Sequence, residues 1–366
     1  MNDNDSNDFL HDCYNDLTSC FDNVKKEFVS NKWKNVPFTQ NEILYHYCTI
    51  ATFYNIIESN CFWLSCPRYL NDLTEFKYSQ KIFFENIAKY KGRLVKTKLS
   101  KEESCFLNML NEMLSRFSNY FENRDKELDY CKQPFLMCFS SEGDSLAMWN
   151  SYVSNNTGVS IGLDFSKKDY FIDINIADKK AKISPFYQIP KGAFHDIKYP
   201  DKQTLESNIS KLLENIRQVY FLDLMKLKKT NKYSIDNYND YFSANCYLKF
   251  LEFSIYIKDF HFQFEKETRF ISSDFKKDDI KFRIKNNFIV PYVEFPNRLP
   301  RDYMEDKSEN ERRYSYKIPI VSLTLSPGCS EDNLVILSLK AFLFSKGYDV
   351  SKIQFKESEI PFISRC

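Results

Sequence analysis

The sequence predicts an α+β fold, with a mixed or antiparallel sheet core carrying large helical insertions. Three observations predict it. Short alternating apolar runs such as ILYHYC, FLMCFS, GVSIGLDF and KIPIVSLTLS recur along the chain, bounded by turn residues. Two tracts, at about 78–127 and 204–257, instead repeat apolar residues every three or four positions, as helices do. Regular strand–helix alternation and a Gly-rich phosphate loop are both missing, which argues against a doubly wound sheet.

Taken in order, residues 1–40 read as a polar helical arm and linker, with a helix such as 13–29, and 41–366 as a single α+β domain. ILYHYC alternates as a strand, and Thr49 can cap a following helix whose Phe53, Ile56 and Ile57 share a face and which Asn60 stops. CFWLS is a second strand, and Pro67 with Asn71-Asp72 makes RYLNDLTEF a structured loop. After the first helical tract, FLMCFS, a turn at Glu142-Gly143-Asp144, the short helix SLAMWNSY and GVSIGLDF form a strand, helix, strand unit. Beyond the second tract, TRFISS, NFIVPYVEF, KIPIVSLTLS and DVSKIQFKES read as strands, and a helix between the last two stops at Gly347. The expected total is about eight strands with five or six helices.

Composition narrows the function. Lys and Arg number 51 against 50 Asp and Glu, so no global field gathers nucleic acid or membrane, and LMKLKKTNK and FKKDDIKFRIKNN read as solvated faces. The 11 cysteines show no CxxC pair or Cys/His ladder, which fits a reducing interior and argues against structural zinc. No stretch is long enough to span a bilayer and the polar opening is not a signal peptide, so the expectation is a soluble, cytoplasmic protein with no membrane partner.

Two polar clusters interrupt apolar runs. His46 alternates with Tyr45 and Tyr47, and its imidazole can donate one hydrogen bond and accept another, which suits a ribose hydroxyl. The competing reading is a core histidine satisfied by a backbone carbonyl. Glu267 and Arg269 sit two apart in FQFEKETRF, so both point one way; Glu267 can stabilise a developing cation, or the two can form a structural ion pair. Arg68 and Tyr69 could face a ligand's phosphates and ring, while Asp72 can simply cap a helix. Ser140 stands at the end of its strand, and Trp149 and Tyr152 share one side of a short helix, where core packing competes with stacking on a ligand. Asp144, Asp164 and Glu267 could meet around magnesium, as in a nuclease, but their spacing is loose and no metal cluster is expected.

Together the blocks LYHYCTIATFYNIIES, FWLSCPRYLNDLTEF, FLMCFSSEGDSLAMWNSYVSNNTGVSIGLDF, FEKETRFI and KIQFKESEIPF resemble DUF2971, a mainly bacterial family of proteins of unknown function. The departures are Thr268, where the family pattern has Trp, and Ile363, where arginine is common. The first block also looks like the opening of ADP-ribosyltransferase-like domains, in which a histidine strand leads into a helix and a second strand, with a glutamate supplied much later. That resemblance implies NAD as substrate, with His46 orienting the nicotinamide ribose and Glu267 as the catalytic carboxylate. It gives ligand-contact roles to Tyr47, Arg68, Tyr69, Asn71, Asp72, Ser140, Trp149, Tyr152 and Arg269. The implied protein is an ADP-ribosyltransferase-like enzyme or NAD glycohydrolase, a candidate bacterial defence effector, with protein, nucleic acid or water as acceptor and a homodimer as one expected assembly. The alternatives are a magnesium-dependent nuclease and a non-catalytic nucleotide- or protein-binding module.

Overall fold

A computed structural model describes residues 4–28, 42–70, 75–96, 98–121, 134–153, 157–165, 172–176, 179–183, 193–230, 234–273, 275–285, 287–295, 317–327 and 333–361. In chain order its elements are α1 (Asn4–Phe28), β1 (Leu44–Thr49), α2 (Ile50–Ser59), β2 (Phe62–Ser65), α3 (Glu75–Leu94), α4 (Lys101–Phe121), β3 (Phe135–Ser140), α5 (Leu146–Tyr152), β4 (Gly158–Leu163), β5 (Ile172–Ile176), β6 (Lys179–Ile183), β7 (Ala193–Asp196), α6 (Lys202–Thr230), α7 (Ile235–Ser254), β8 (Glu267–Ser272), β9 (Ile280–Lys285), β10 (Phe288–Phe295), β11 (Ile320–Leu325), α8 (Asn333–Ser345) and β12 (Gln354–Glu357). The chain divides into two units, one built from 1–31, 71–128 and 197–263 and the other from 32–70, 129–196 and 264–366.

The first unit is helical, and α1, α3, α4, α6 and α7 pack on one another in it. On α6, Leu205, Ile209, Leu212, Leu213, Ile216, Tyr220, Leu224 and Leu227 recur at three- and four-residue steps and are all buried. Aromatic rings fill the space between helices: Phe106 lies 5.2 Å from Tyr220, and Phe83 lies 4.8 Å from Phe250. The fully buried Asp223 accepts from the Tyr238 hydroxyl at 3.0 Å and from Lys226 Nζ at 3.2 Å, so its charge is met on two sides.

The second unit is a mixed sheet of ten strands in the order β12-β11-β4-β1-β3-β2-β10-β9, with β8 on β3 and β7 on β8; β5 and β6 form a separate hairpin. Only the β11–β12 pair is parallel among the described strands. Along one edge β3 pairs with β8 over its whole length, from Phe135↔Ser272 to Ser140↔Glu267. It also meets β1 at Tyr45↔Ser140 and β2 at Ser65↔Leu136, so these two strands meet opposite ends of β3. β4 and β8 are buried throughout; GVSIGL in β4 is the apolar and small-residue run expected of a strand covered on both faces, whereas ETRFIS in β8 carries a buried acid and arginine.

Local signals explain the joints. Thr49 Oγ1 accepts from Thr52 N at 3.2 Å to cap α2, and Asn60 ends that helix in the left-handed region at φ 50°. Phe53, Ile56 and Ile57 on its buried face join a core that includes Phe62, Leu64, Phe139, Ile161 and Phe270, each such side chain contributing roughly 1.5–3 kcal/mol by leaving water. Gly347, at φ 77°, ends α8, with Tyr348 N donating to Leu343 O at 3.0 Å.

The structure extends the expected element set. α1 begins at Asn4, nine residues before the expected Cys13. Four strands, β5, β6, β7 and β9, join the expected eight, and β9 lies inside the basic run that looked like a solvated face. There Lys281 pairs with Glu294 at 2.6 Å, while Arg283 stacks over Trp63 at 4.9 Å, so these cations serve strand pairing.

Candidate functional site

Alternation along β1 gives the sheet two faces at this point. Leu44 and Cys48 enter the main core, whereas Tyr47 joins a smaller cluster with Met148, Trp149 and Val153, against which Tyr45, Tyr152 and Ile360 pack. The rings of Phe62 and Phe139 meet His46 edge-on at 6.0 and 6.1 Å. β8, reached through β3, adds Glu267, and the 3₁₀ turn just before it adds Glu265. A cleft of about 10 Å³, room for about one water molecule, is lined by Tyr45, His46, Tyr47, Cys138, Phe139, Met148, Tyr152, Glu265 and Glu267.

His46 Nδ1 lies 3.1 Å from the Cys138 carbonyl, which can only accept, so Nδ1 carries the proton and the Nε2 lone pair is an acceptor. Burial pushes its pKa down to about 4, partly offset by that hydrogen bond, so the ring is neutral near pH 7. Glu267 is held by Arg269 on both oxygens, Nε to Oε1 at 2.7 Å and Nη2 to Oε2 at 2.9 Å, with both side chains 2% exposed. This two-residue pairing on one face of β8 is the structural ion pair that competed with a catalytic reading, and the same Glu267 also lines the cleft. Lys266, between Glu265 and Glu267, is held at φ 42°, a strained conformation for a residue with a side chain, and its Nζ pairs with Glu142 Oε1 at 2.5 Å.

The other expected site residues take different places. The Tyr47 hydroxyl donates to Glu142 O at 2.8 Å and accepts from Ser145 N at 3.1 Å, so its ring lines the cleft while its oxygen fastens the β3–α5 turn. Ser140 is fully buried and does likewise, donating to Glu265 O at 2.7 Å and accepting from Glu142 N at 3.1 Å. Trp149 is 3% exposed, edge-on to Tyr47 at 4.7 Å, with Nε1 donating to Asp144 Oδ1 at 2.7 Å, which is core packing rather than a stacking platform. Tyr152 lines the cleft. Arg68 and Tyr69 form a short 3₁₀ turn after β2, whose Ser65 meets β3 four residues, about 13 Å, from Ser140. Tyr69 packs against the main core there, and neither residue is among those lining the cleft. Asn71 and Asp72 lie outside the described residues.

Asp144 is a hub. Besides Trp149 it accepts from Ser358 Oγ on Oδ1 at 2.7 Å and from Glu359 N on Oδ2 at 2.9 Å, which ties the segment after β12 to the turn beside the cleft. With Asp144 so engaged and Glu267 on Arg269, the loosely spaced acids do not gather: among the described residues no group of three or more His, Cys, Asp or Glu side chains could hold a metal ion. No described helix is long and apolar enough to cross a membrane. Sequence reasoning missed Glu265, Tyr45, Met148, Cys138 and Phe139 as cleft residues. Two acids flanking one residue in FQFEKETRF were the available signal for Glu265.

Fold and site together define an α+β sheet protein with a histidine and a carboxylate from distant strands at one cleft. Residues 148–270 match the model of a family described as "Protein of unknown function (DUF2971)", so the resemblance drawn from the sequence blocks holds over that stretch. Trp149, Tyr152, Glu267 and Arg269 fall inside the match, and His46 falls outside it. No curated protein matches the chain, and no solved structure does.

Proposed function

We propose that the cleft between β1 and β8 receives the nicotinamide–ribose end of NAD and breaks the glycosidic bond, as an ADP-ribosyltransferase-like enzyme or NAD glycohydrolase does. The observation that carries the reading is that His46 and Glu267 line one cleft although they stand far apart in sequence. His46 Nε2, a neutral acceptor, takes a hydrogen bond from a ribose hydroxyl. Glu267 lines the same cleft while Arg269 holds both its carboxylate oxygens, which fixes its negative charge there. As the bond from C1′ to the pyridinium nitrogen breaks, the electron pair leaves with nicotinamide, and positive charge grows at C1′ where Glu267 opposes it. A nucleophile from protein, nucleic acid or water then adds to C1′ and loses its proton. Such an activity in a bacterial cell diverts NAD, which suits a defence effector.

A second reading, binding of a nucleotide without chemistry, is favoured by the tight Glu267–Arg269 pairing and by a cleft with room for about one water molecule. On either reading Tyr152 or Met148 must move to admit a ring. The deciding experiment incubates the purified chain with NAD and follows nicotinamide by chromatography. Release by the wild type that is lost in E267Q and reduced in H46Q, with both variants folded by near-ultraviolet circular dichroism, supports catalysis. Saturable NAD binding without release supports the binding module, and full release by E267Q removes the carboxylate's role.

A further inference from the structure

A second cavity lies wholly within the helical unit, between α3 and α6. It is a groove of about 640 Å³ lined by Asn86, Lys89, Gly92, Arg93 and Lys96 from one side and Gln203, Glu206, Ser207 and Ser210 from the other. Lys89 and Arg93 stand four residues apart on α3, and Lys96 sits in the turn that prolongs it, where Val95 N donates to Lys91 O at 3.1 Å and Lys96 N to Arg93 O at 3.3 Å. The three cations thus face one groove over a rise of about 10 Å. Glu206 is the one acid in the lining and pairs with Lys89 at 3.0 Å, an exposed contact of little energy that leaves Lys89 able to turn to a stronger partner. Arg93 and Lys96 are exposed, and among the described residues neither has a carboxylate partner.

The groove is also shaped in advance. Arg93 lies over the Tyr90 ring at 5.4 Å, and the Tyr90 hydroxyl donates to Glu214 at 2.6 Å. Arg217 in turn holds Glu214 and Glu103, each at 2.9 Å, so the ring beneath the guanidinium is fixed. Gly92 has nothing within 4 Å of where a Cβ would stand, which keeps that wall open. Gln203 and Ser207 add side-chain donors from the first turns of α6, the end of a helix that favours anions.

We infer that this groove binds the phosphate groups of a small polyphosphate ligand, such as a nucleoside di- or triphosphate. Three cations against one carboxylate call for an anion, and their spread along the helix suits more than one phosphate. The volume falls within the range of about 300–1,000 Å³ typical of small-ligand sites. A net charge of +1 on the whole chain supplies no field for a long polyanion, which sets a compact ligand above a nucleic acid strand. The site is independent of the NAD reading, since none of its residues lines the cleft.

The test is titration calorimetry of the full chain with inorganic tripolyphosphate at low salt. The expected result is a dissociation constant below about 1 mM, weakened about tenfold or more in the double variant R93Q/K96Q. The thermal midpoint of that variant stays at the wild-type value, since both side chains are exposed. Absence of binding overturns the inference, and so does unchanged affinity in the double variant. Tighter binding of a single-stranded oligonucleotide than of tripolyphosphate also overturns it, by assigning the groove to nucleic acid.

Discussion

Removing one charge from the Glu267–Arg269 pair is the sharpest test of how the cleft is built. Each side chain is 2% exposed, and the guanidinium engages both carboxylate oxygens at 2.7 and 2.9 Å. E267Q removes the carboxylate charge that faces the Arg269 guanidinium in the interior, at an expected cost of about 3–5 kcal/mol, whereas neutralising both sites in E267Q/R269M costs much less. A double-mutant cycle should therefore give a coupling of at least about 2 kcal/mol. Two units need not unfold together, so the signal must come from the sheet unit alone. Tryptophan fluorescence provides it, because the described tryptophans, Trp63 and Trp149, both fall in that unit's stretches. Urea midpoints then give the four stabilities. A cost for E267Q below about 1 kcal/mol, or strict additivity in the cycle, would refute the reasoning that buried charge pairing holds Glu267 in place.

The remaining predictions concern the same unit. Because burial lowers the His46 pKa from 6.5 to about 4, the unfolded chain binds that proton more readily; stability from this group is complete above about pH 6.5 and is lost as pH falls toward 4. H46Q should flatten that part of the stability–pH curve, and an unchanged slope counts against a buried neutral ring. Asp144→Ala frees Trp149 Nε1, Ser358 Oγ and Glu359 N, at an expected cost of about 1–3 kcal/mol and with faster proteolysis near 358–361, read by mass spectrometry. Gly158→Ala places a methyl 2.7 Å from the Cys48 carbonyl oxygen and 2.6 Å from a Val153 methyl, so the β1–β4 ladder must shift; a loss of about 1–3 kcal/mol in urea unfolding is expected.

Much of the fold was legible because it is written in local chemistry. The Thr49 cap, the Asn60 stop and the Gly347 stop all act within a few residues of their own position. The α6 stripe was equally plain. β7 was not, since four residues, AFHD, carry too little alternation to stand out. β9 was hidden by its Lys and Arg residues, whose strand role depends on Glu294 and Trp63 in neighbouring strands. For the site, the dual character of Glu267 and Arg269 could be read from their two-residue spacing, but whether His46 shared a cleft with Glu267 depended on β3 standing between β1 and β8. The roles of Tyr47, Ser140 and Trp149 as fasteners of one turn depended on Glu142, Ser145 and Asp144 as partners, and hydrogen-bond partners across a turn leave no periodic trace in a sequence.

The way the two units are threaded has a consequence for biosynthesis. The last stretch of the helical unit ends at residue 263, whereas the sheet unit still awaits 264–366 when that point leaves the ribosome. A nascent chain thus holds every segment of the helical unit while β1, β3 and β4 still lack β8 and the later strands. Until the carboxylate of Glu267 emerges, His46 waits on a strand whose neighbour β3 has one long edge bare, a stage at which chaperone capture or premature termination would leave the helical unit with all its segments and the cleft unmade.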